Sequence, residues 1–211
     1  MISTPLCKIM GDNRSDKGHE DIHTSWHNYT LLYYKMFEPL REKPIRIFEM
    51  GLGTNNINIP SNMGIHGRPG ASLYGWAEFF PNAMVFGADI DKDVLFQTNK
   101  IKTYYCDQTK PMTIKQMWSE PDLNESFDII IDDGLHTFEA GVCLFENSIH
   151  KLKNGGIYVI EDIGQNTLNQ WDLHIEKWKF DHPTLKFTMA KLDSKTNIWD
   201  NNLLVIQKPI A

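Results

Sequence analysis

The stretch Phe127-Asp-Ile-Ile-Ile-Asp-Asp-Gly-Leu-His136 decides how the chain folds, and Gly155-Gly-Ile-Tyr-Val-Ile-Glu-Asp-Ile163 repeats its pattern. Each is a short run of β-branched and apolar residues that stops in paired carboxylates. That is the signature of a buried parallel strand carrying acidic side chains at its C-terminal edge. Between them, Thr137–Lys153 reads as a helix: Phe138, Val142, Phe145, Ile149 and Leu152 recur at helical spacing, and Asn154-Gly155-Gly156 supplies the stop. A β-α-β crossover of this kind places its two strands parallel, as neighbours roughly 5 Å apart. Asp132, Asp133, Glu161 and Asp162 are then expected to converge on one crevice.

Upstream, Ile45–Met50 is a first strand, followed at once by Gly51-Leu-Gly-Thr54. Glycines at that junction let the backbone approach a ligand, and the next helix presents its N-terminus there. The nicotinamide fingerprint is not met, because Asn56 stands where it wants a third Gly or Ala. Asn55–Pro69 is a polar insertion expected to shape a site, and Ser72–Phe80 is the helix, with Leu73, Trp76, Ala77 and Phe80 as its buried stripe. Ala83–Ile90 is the second strand. It closes in Asp89, which is placed either to accept the two ribose hydroxyls of a nucleoside or to cap the next segment. Ile101–Cys106 is the third strand, leading into Asp107-Gln108, and Met112–Trp118 is helical. Leu185–Leu192 and Asn202–Lys208 form two further strands whose short connection implies an antiparallel pair. Gln165, Asn166 and Trp171–His174, between them and Ile163, are expected to line an acceptor pocket. The expected fold is therefore α/β: a Rossmann-like seven-stranded sheet, mostly parallel with an antiparallel C-terminal pair, and helices on both faces.

Residues 1–211 are expected to form a single domain, with 1–44 as an N-terminal arm or lid plus a helix and 45–211 as the core. Met1–Trp26 is polar and reads as a loop or frayed arm that can fold over a bound ligand. His19, His23 and His27 could make a metal face only if that arm were helical, and Gly18 with the polar composition argues against it. The helix that follows, Leu31–Leu40, offers Leu31, Leu32, Tyr34, Met36 and Phe37 as core candidates. With 21 Lys+Arg against 27 Asp+Glu the net charge is -6, which gives no electrostatic footprint for nucleic acid. Nor is a membrane span expected, and Met1–Met10 lacks the apolar core of a signal peptide, so a cytoplasmic location is expected. Cys7, Cys106 and Cys143 are scattered without metal-type spacing, as for reduced thiols. Exposed aromatics such as Trp199 are candidates for a homo-oligomer interface.

The series Glu49-Met-Gly-Leu-Gly-Thr, Phe86-Gly-Ala-Asp89, Cys106-Asp-Gln108, Phe127–Asp133 and Gly155–Asp162 resembles the class I S-adenosylmethionine-dependent methyltransferases. Gly70–Pro81, Asp132-Asp-Gly-Leu-His136 and Val159-Ile-Glu-Asp162 are similar, more narrowly, to the metal-dependent sugar O-methyltransferases of macrolide biosynthesis and the related cephalosporin-pathway group. The resemblance spans roughly Asp16 to Gly164 and departs at Leu135, where that family commonly has a small polar residue. It implies that Glu49, Gly51 and Gly53 hold the methionine end of the cofactor, Asp89 the ribose, and Asp107 with Gln108 the adenine side. It also implies a divalent ion, magnesium for preference, on Asp133, Glu161 and Asp162, and a general base at His136.

The residue chemistry agrees with that assignment. Three carboxylates without a nearby cysteine are a hard-oxygen set, suited to magnesium or calcium rather than structural zinc. Such an ion lowers the pKa of an acceptor hydroxyl, and His136, three positions beyond Asp133, reaches the same oxygen as base or, in the alternative, caps the following helix. Asp132 points to the opposite face of the strand from Asp133 and is grouped with the cofactor-binding residues rather than the metal ligands. The expected activity is O-methylation of a sugar hydroxyl, on a nucleotide-linked or surface-polysaccharide precursor. The alternatives are a catechol-type methyltransferase, methylation of a phosphate or phosphoramidate group, and a non-catalytic subunit that keeps only the fold. Expected partners are S-adenosylmethionine, the metal ion and a small-molecule or sugar acceptor.

Overall fold

The computed structural model describes residues 3–18 and 25–210. His19 and His23 lie outside them. Helix α1 (Pro5–Asp12) and helix α2 (Tyr29–Phe37) precede the first strand, β1 (Arg46–Met50). There follow α3 (Ala71–Phe79), β2 (Met84–Asp89), β3 (Ile101–Tyr105), α4 (Pro111–Trp118) and β4 (Phe127–Asp132). The chain continues through α5 (Phe138–Ser148), β5 (Leu152–Ile160), α6 (Leu168–Asp181), β6 (Lys186–Lys191) and β7 (Asn202–Gln207). The seven strands form one sheet in the order β3-β2-β1-β4-β5-β7-β6. β1 to β5 run parallel, and β7 is antiparallel to both β5 and β6. The expected architecture is found, down to the C-terminal pair.

Alternation along the strands splits the core in two, as side chains of period two require. Ile47, Ile129, Ile131 and Val159 face α1 to α3, where they meet Tyr33, Leu73 and Trp76. Phe48, Ile130, Tyr158 and Ile160 face α4 to α6, where they meet Trp118, Phe145 and Trp178. The sheet order reverses between β1 and β4, so the loops leaving these two strands diverge and open a crevice at their C-terminal ends.

Four local expectations change. The first described part of the arm is ordered: Pro5–Asp12 is a helix whose Thr4 side chain accepts from Cys7 N, and it buries Leu6, Cys7 and Met10. A proline in the first turn and an N-cap threonine suffice to start it. In α2 the buried face is Tyr29, Tyr33 and Phe37 rather than Leu31, Leu32, Tyr34 and Met36, which are only half-buried. Tyrosine hydroxyls that meet buried carboxylates outcompete leucine for the inward position. The helix after β4 ends at Ser148, and Leu152 already opens β5 opposite Phe127, with a register irregularity before Ile129. Finally, Trp171–His174 belong to α6, which buries Leu168, Trp171, Ile175 and Trp178 at helical spacing. Trp171 packs edge-on against Phe138, with ring centroids 4.8 Å apart, and does not line the large cleft. Its polar neighbours on the outer face of α6 had concealed the helical stripe.

Candidate active site

Gly51, at φ 92°, turns the chain out of β1. A Cβ there would stand 1.8 Å from the Asp133 carbonyl oxygen, so only glycine lets the loops after β1 and β4 pass this closely. Gly53, at φ 75°, is similarly crowded by Met63 of the 55–69 insertion. That insertion folds back through Met63 N to Thr54 O (2.8 Å) and Ser61 Oγ to Leu135 O (3.0 Å). It forms one wall of a cleft of about 360 Å³ at the sheet's C-terminal edge.

Gly51, Gly53, Asp89, Asp107, Gln108, Asp133, His136 and Asp162 all line that cleft. Asp89 is held by Leu52 N and Asp91 N, each at 2.8 Å and each on a different carboxylate oxygen. Burial pushes its pKa up against those donors. Asp107 accepts from Thr109 N and Oγ1 and pairs with Lys110 at 2.7 Å. Burial would raise its carboxyl, but the Lys110 and Thr109 hydrogen bonds prevail and lower it.

Three residues expected at the site stand behind the wall. Glu49 is fully buried, accepting from Ser72 Oγ and from Trp76 Nε1 at 2.6 Å. Asp132 points away from Asp133, as strand geometry requires, and receives Gln108 Nε2 at 3.0 Å. Among the described residues its Oδ2 has no hydrogen-bond partner, and burial pushes its pKa up to about 6. Glu161 is buried and turned toward the N-terminal segment.

The opposite side of the crevice comes from Lys17, Tyr29 and Tyr33, which the sequence reading did not single out, and from His27, which it weighed only as a metal ligand. Lys17, 1% exposed, places its ammonium 2.5 Å from Asp133 Oδ2, 2.6 Å from Glu161 Oε2 and 3.6 Å from Glu49 Oε1. Burial alone would discharge it, yet Asp133, Glu161 and Glu49 hold its pKa well above the usual lysine range. Tyr33 donates its hydroxyl to Glu161 Oε1, and Tyr29 donates to Asp162 Oδ1 at 2.6 Å. His27 stacks on Tyr29, with ring centroids 4.4 Å apart and Nε2 3.5 Å from Asp162. Spacing in the sequence offered one signal for the tyrosines, since Tyr29, Tyr33 and Phe37 follow an i, i+4, i+8 stripe. Lys17, in a polar run, offered none.

His136 stands between two of the acids, Nε2 3.2 Å from Asp133 Oδ1 and Nδ1 3.3 Å from Asp162 Oδ2. Burial would lower its pKa, but Asp133 and Asp162 overcome this and lift it to about 10. His136 and Asp162 both adopt positive φ, 60° and 54°, a conformation uncommon outside glycine that concentrates where function holds the backbone. One atom from each of Asp133, His136 and Asp162 can be chosen so that all three lie within 4.8 Å of one another. Oxygen donors of this kind fit a hard divalent cation. Glu161, the third carboxylate expected to bind it, is already engaged by Lys17 and Tyr33.

No family model matches the chain. It is 30% identical over 137 residues to the 8-demethyl-8-alpha-L-rhamnosyl tetracenomycin-C 2'-O-methyltransferase of Streptomyces olivaceus, covering 65% of this chain and 33% of that protein. It is 32% identical over 136 residues to the L-olivosyl-oleandolide 3-O-methyltransferase of Streptomyces antibioticus, covering 64% and 32%. The chain thus spans about a third of the length of the curated relatives it matches. Among solved structures, the MycE methyltransferase of the mycinamycin pathway, in complex with Mg, SAH and mycinamycin VI, superposes with a TM-score of 0.71 at 22% identity. That match covers 99% of this chain and 55% of MycE. A second MycE structure, with Mg and SAH, gives 0.69 at 23% identity, over 99% and 55%. With seven strands in this order and these relatives in sequence, the chain has the class I S-adenosylmethionine-dependent methyltransferase fold and resembles the macrolide sugar O-methyltransferases.

Proposed function

We propose that the protein transfers a methyl group from S-adenosylmethionine to a sugar hydroxyl of a small-molecule glycoside, with a divalent cation, magnesium for preference, at the acidic crevice. One observation carries this reading. The glycine turn after β1, Asp89 at the end of β2 and the Asp133–His136–Asp162 group after β4 and β5 open on a single cleft. The sugar acceptor follows from the relatives, which are named for rhamnosyl and olivosyl groups. None of them is named for the nucleotide-linked or polysaccharide precursor expected from the sequence.

In this reading Gly51 and Gly53 bring the backbone against the methionine end of the cofactor, Asp89 accepts ribose hydroxyls, and Asp107 bounds the adenine side. Glu49 acts from behind the wall by fixing Ser72; Gln108, in the wall itself, bounds the adenine side with Asp107 and ties Asp132 to Leu135 N, which it accepts at 2.8 Å. A cation held by Asp133 and Asp162 supplies Lewis acidity that lowers the pKa of an acceptor hydroxyl. His136 takes the hydroxyl proton, the oxygen forms its bond to the methyl carbon, and the carbon–sulfur bond breaks to leave the thioether. For His136 to serve as base, the field of its two carboxylates must be offset further; with Lys17 on Asp133 and Tyr29 on Asp162 they still lift its pKa to about 10. The N-terminal segment buries the Lys17–Glu161 pair behind the crevice, which strengthens the charge interaction there.

The test is calorimetric titration of S-adenosylmethionine and S-adenosylhomocysteine with magnesium present and then with a chelator, followed by a panel of glycosides and catechols. Binding of both cofactors and magnesium-dependent methylation of a glycoside are expected. Absence of cofactor binding would remove the reading, and turnover on catechols alone would replace it by the catechol-type alternative.

A further inference from the structure

The turn from β4 to α5 carries His136, and the residue before it is held from two sides. Gln108 Oε1 accepts from Leu135 N at 2.8 Å, and Ser61 Oγ donates to Leu135 O at 3.0 Å. Gln108 follows β3 and Ser61 belongs to the 55–69 insertion, so two separate parts of the cleft lining meet on one residue of the turn. Gln108 is 6% exposed and its amide has one orientation. The Leu135 N–H can only donate, so it faces Oε1, which turns Nε2 toward Asp132 Oδ1 at 3.0 Å. A Cβ on Gly134 would stand 1.7 Å from Gln108 Oε1, so the amide lies directly against the turn. Next in the chain is His136, at φ 60°. A residue with a Cβ keeps such a conformation only where its surroundings over-determine it. The two bonds on Leu135 and the ring's contacts with Asp133 and Asp162 do so.

We propose that Gln108 is a positioning residue for His136: besides bounding the adenine side, its amide fixes the backbone of the turn and so sets where the imidazole stands. It does this on the functional reading above, in which His136 is the base. Ser61 supports the same residue through its carbonyl. The consequence is a mechanical link between the two ends of the cofactor site, because the side chain that borders the adenine also governs the group that takes the acceptor's proton. A reacting group displaced by about 1 Å costs on the order of 10²-fold in rate.

The experiment compares the full chain with Gln108→Met, which is similar in length and lacks the amide, with thermal melts to confirm folding. The first readout is NMR of the histidine ring resonances without cofactor, His136 being identified by the signal missing from His136→Ala. Gln108→Met is expected to move or broaden the His136 signal and to leave those of His150 and His182 in place; an unmoved His136 signal overturns the proposal. The second readout is kinetic, on a glycoside that the parent methylates. At saturating S-adenosylmethionine, kcat is expected to fall about tenfold or more, and cofactor affinity to fall less. In a His136→Ala background the same change should cost less than about twofold, since a positioning effect vanishes with the group positioned. A raised KM for the cofactor with kcat spared, or the full loss repeated in the His136→Ala background, overturns the proposal. Should Gln108→Met fail to fold, Ser61→Ala breaks the exposed bond on the same residue. A shift of the His136 signal then supports the clamp, and its absence overturns it. If the parent binds no S-adenosylhomocysteine and methylates no glycoside, the functional reading falls, and the ring resonances still decide whether Gln108 holds His136.

Discussion

The two halves of the cleft solve the problem of buried charge differently. On the β2 and β3 side, Asp89 and Asp107 are satisfied by close neighbours in the chain: Asp91 N, Thr109 and Lys110, with Leu52 N the one long-range donor. On the β4 and β5 side, Asp133 and Glu161 are satisfied by Lys17, 116 and 144 positions away, and Glu161 and Asp162 by the tyrosines of α2. The first half is assembled from turns that form wherever the strands end. The second exists only once the N-terminal segment has docked, so its acids depend on the whole fold. Unpaired, several buried carboxylates would take up protons or repel one another. Docking of the arm and integrity of the acidic crevice are therefore one event.

The largest expected effect falls on the second half. His136→Ala should lower turnover by about 10²–10⁴-fold, the usual contribution of a general base, while S-adenosylhomocysteine affinity measured by calorimetry stays near the parent value. Equal loss of both would show that His136 supports the cleft rather than the chemistry. Next, Asp89→Ala removes the group that accepts two backbone N–H bonds and is assigned to the ribose. Cofactor affinity is expected to fall about ten- to a hundredfold, with magnesium affinity measured in parallel unaffected. A matching loss in magnesium affinity would break the separation of the two halves. Tyr33→Phe leaves Glu161 without its hydroxyl donor at an unchanged shape. Chemical denaturation should show a loss of about 1–3 kcal/mol, and preserved stability would mean that Glu161 finds another donor. The smallest effect is expected for Thr109→Ala, because Asp107 keeps the Thr109 N–H and Lys110. A cofactor-affinity change below about tenfold is expected there, and a larger one would show that the hydroxyl orients Asp107 toward the ligand.

Much of the fold was legible before any coordinates. The run Ile129–Ile131 ending in Asp132-Asp133, and Tyr158–Ile160 ending in Glu161-Asp162, announce buried parallel strands with acidic tips. The seven strands in chain order, and the antiparallel β6–β7 pair, follow from spacing alone. Helix α6 was missed because Asp172, His174, Glu176 and Lys177 dilute a stripe of only four buried residues. Helix α1 was missed because its eight residues make only about two turns, too few for the Leu6, Cys7 and Met10 stripe to stand out from the polar run that follows.

The site divides in the same way. Sequence by itself determined which carboxylates reach the strand ends and which glycines permit the close turn, because strand period and backbone sterics are local rules that act over a few residues. Tertiary structure alone decided which of those acids face the cleft, which are turned inward, and that the cation closing the crevice is Lys17. Those outcomes depend on a charge brought across more than a hundred residues into a space from which water is excluded. There, uncompensated charge is costly enough to select its partner from anywhere in the chain.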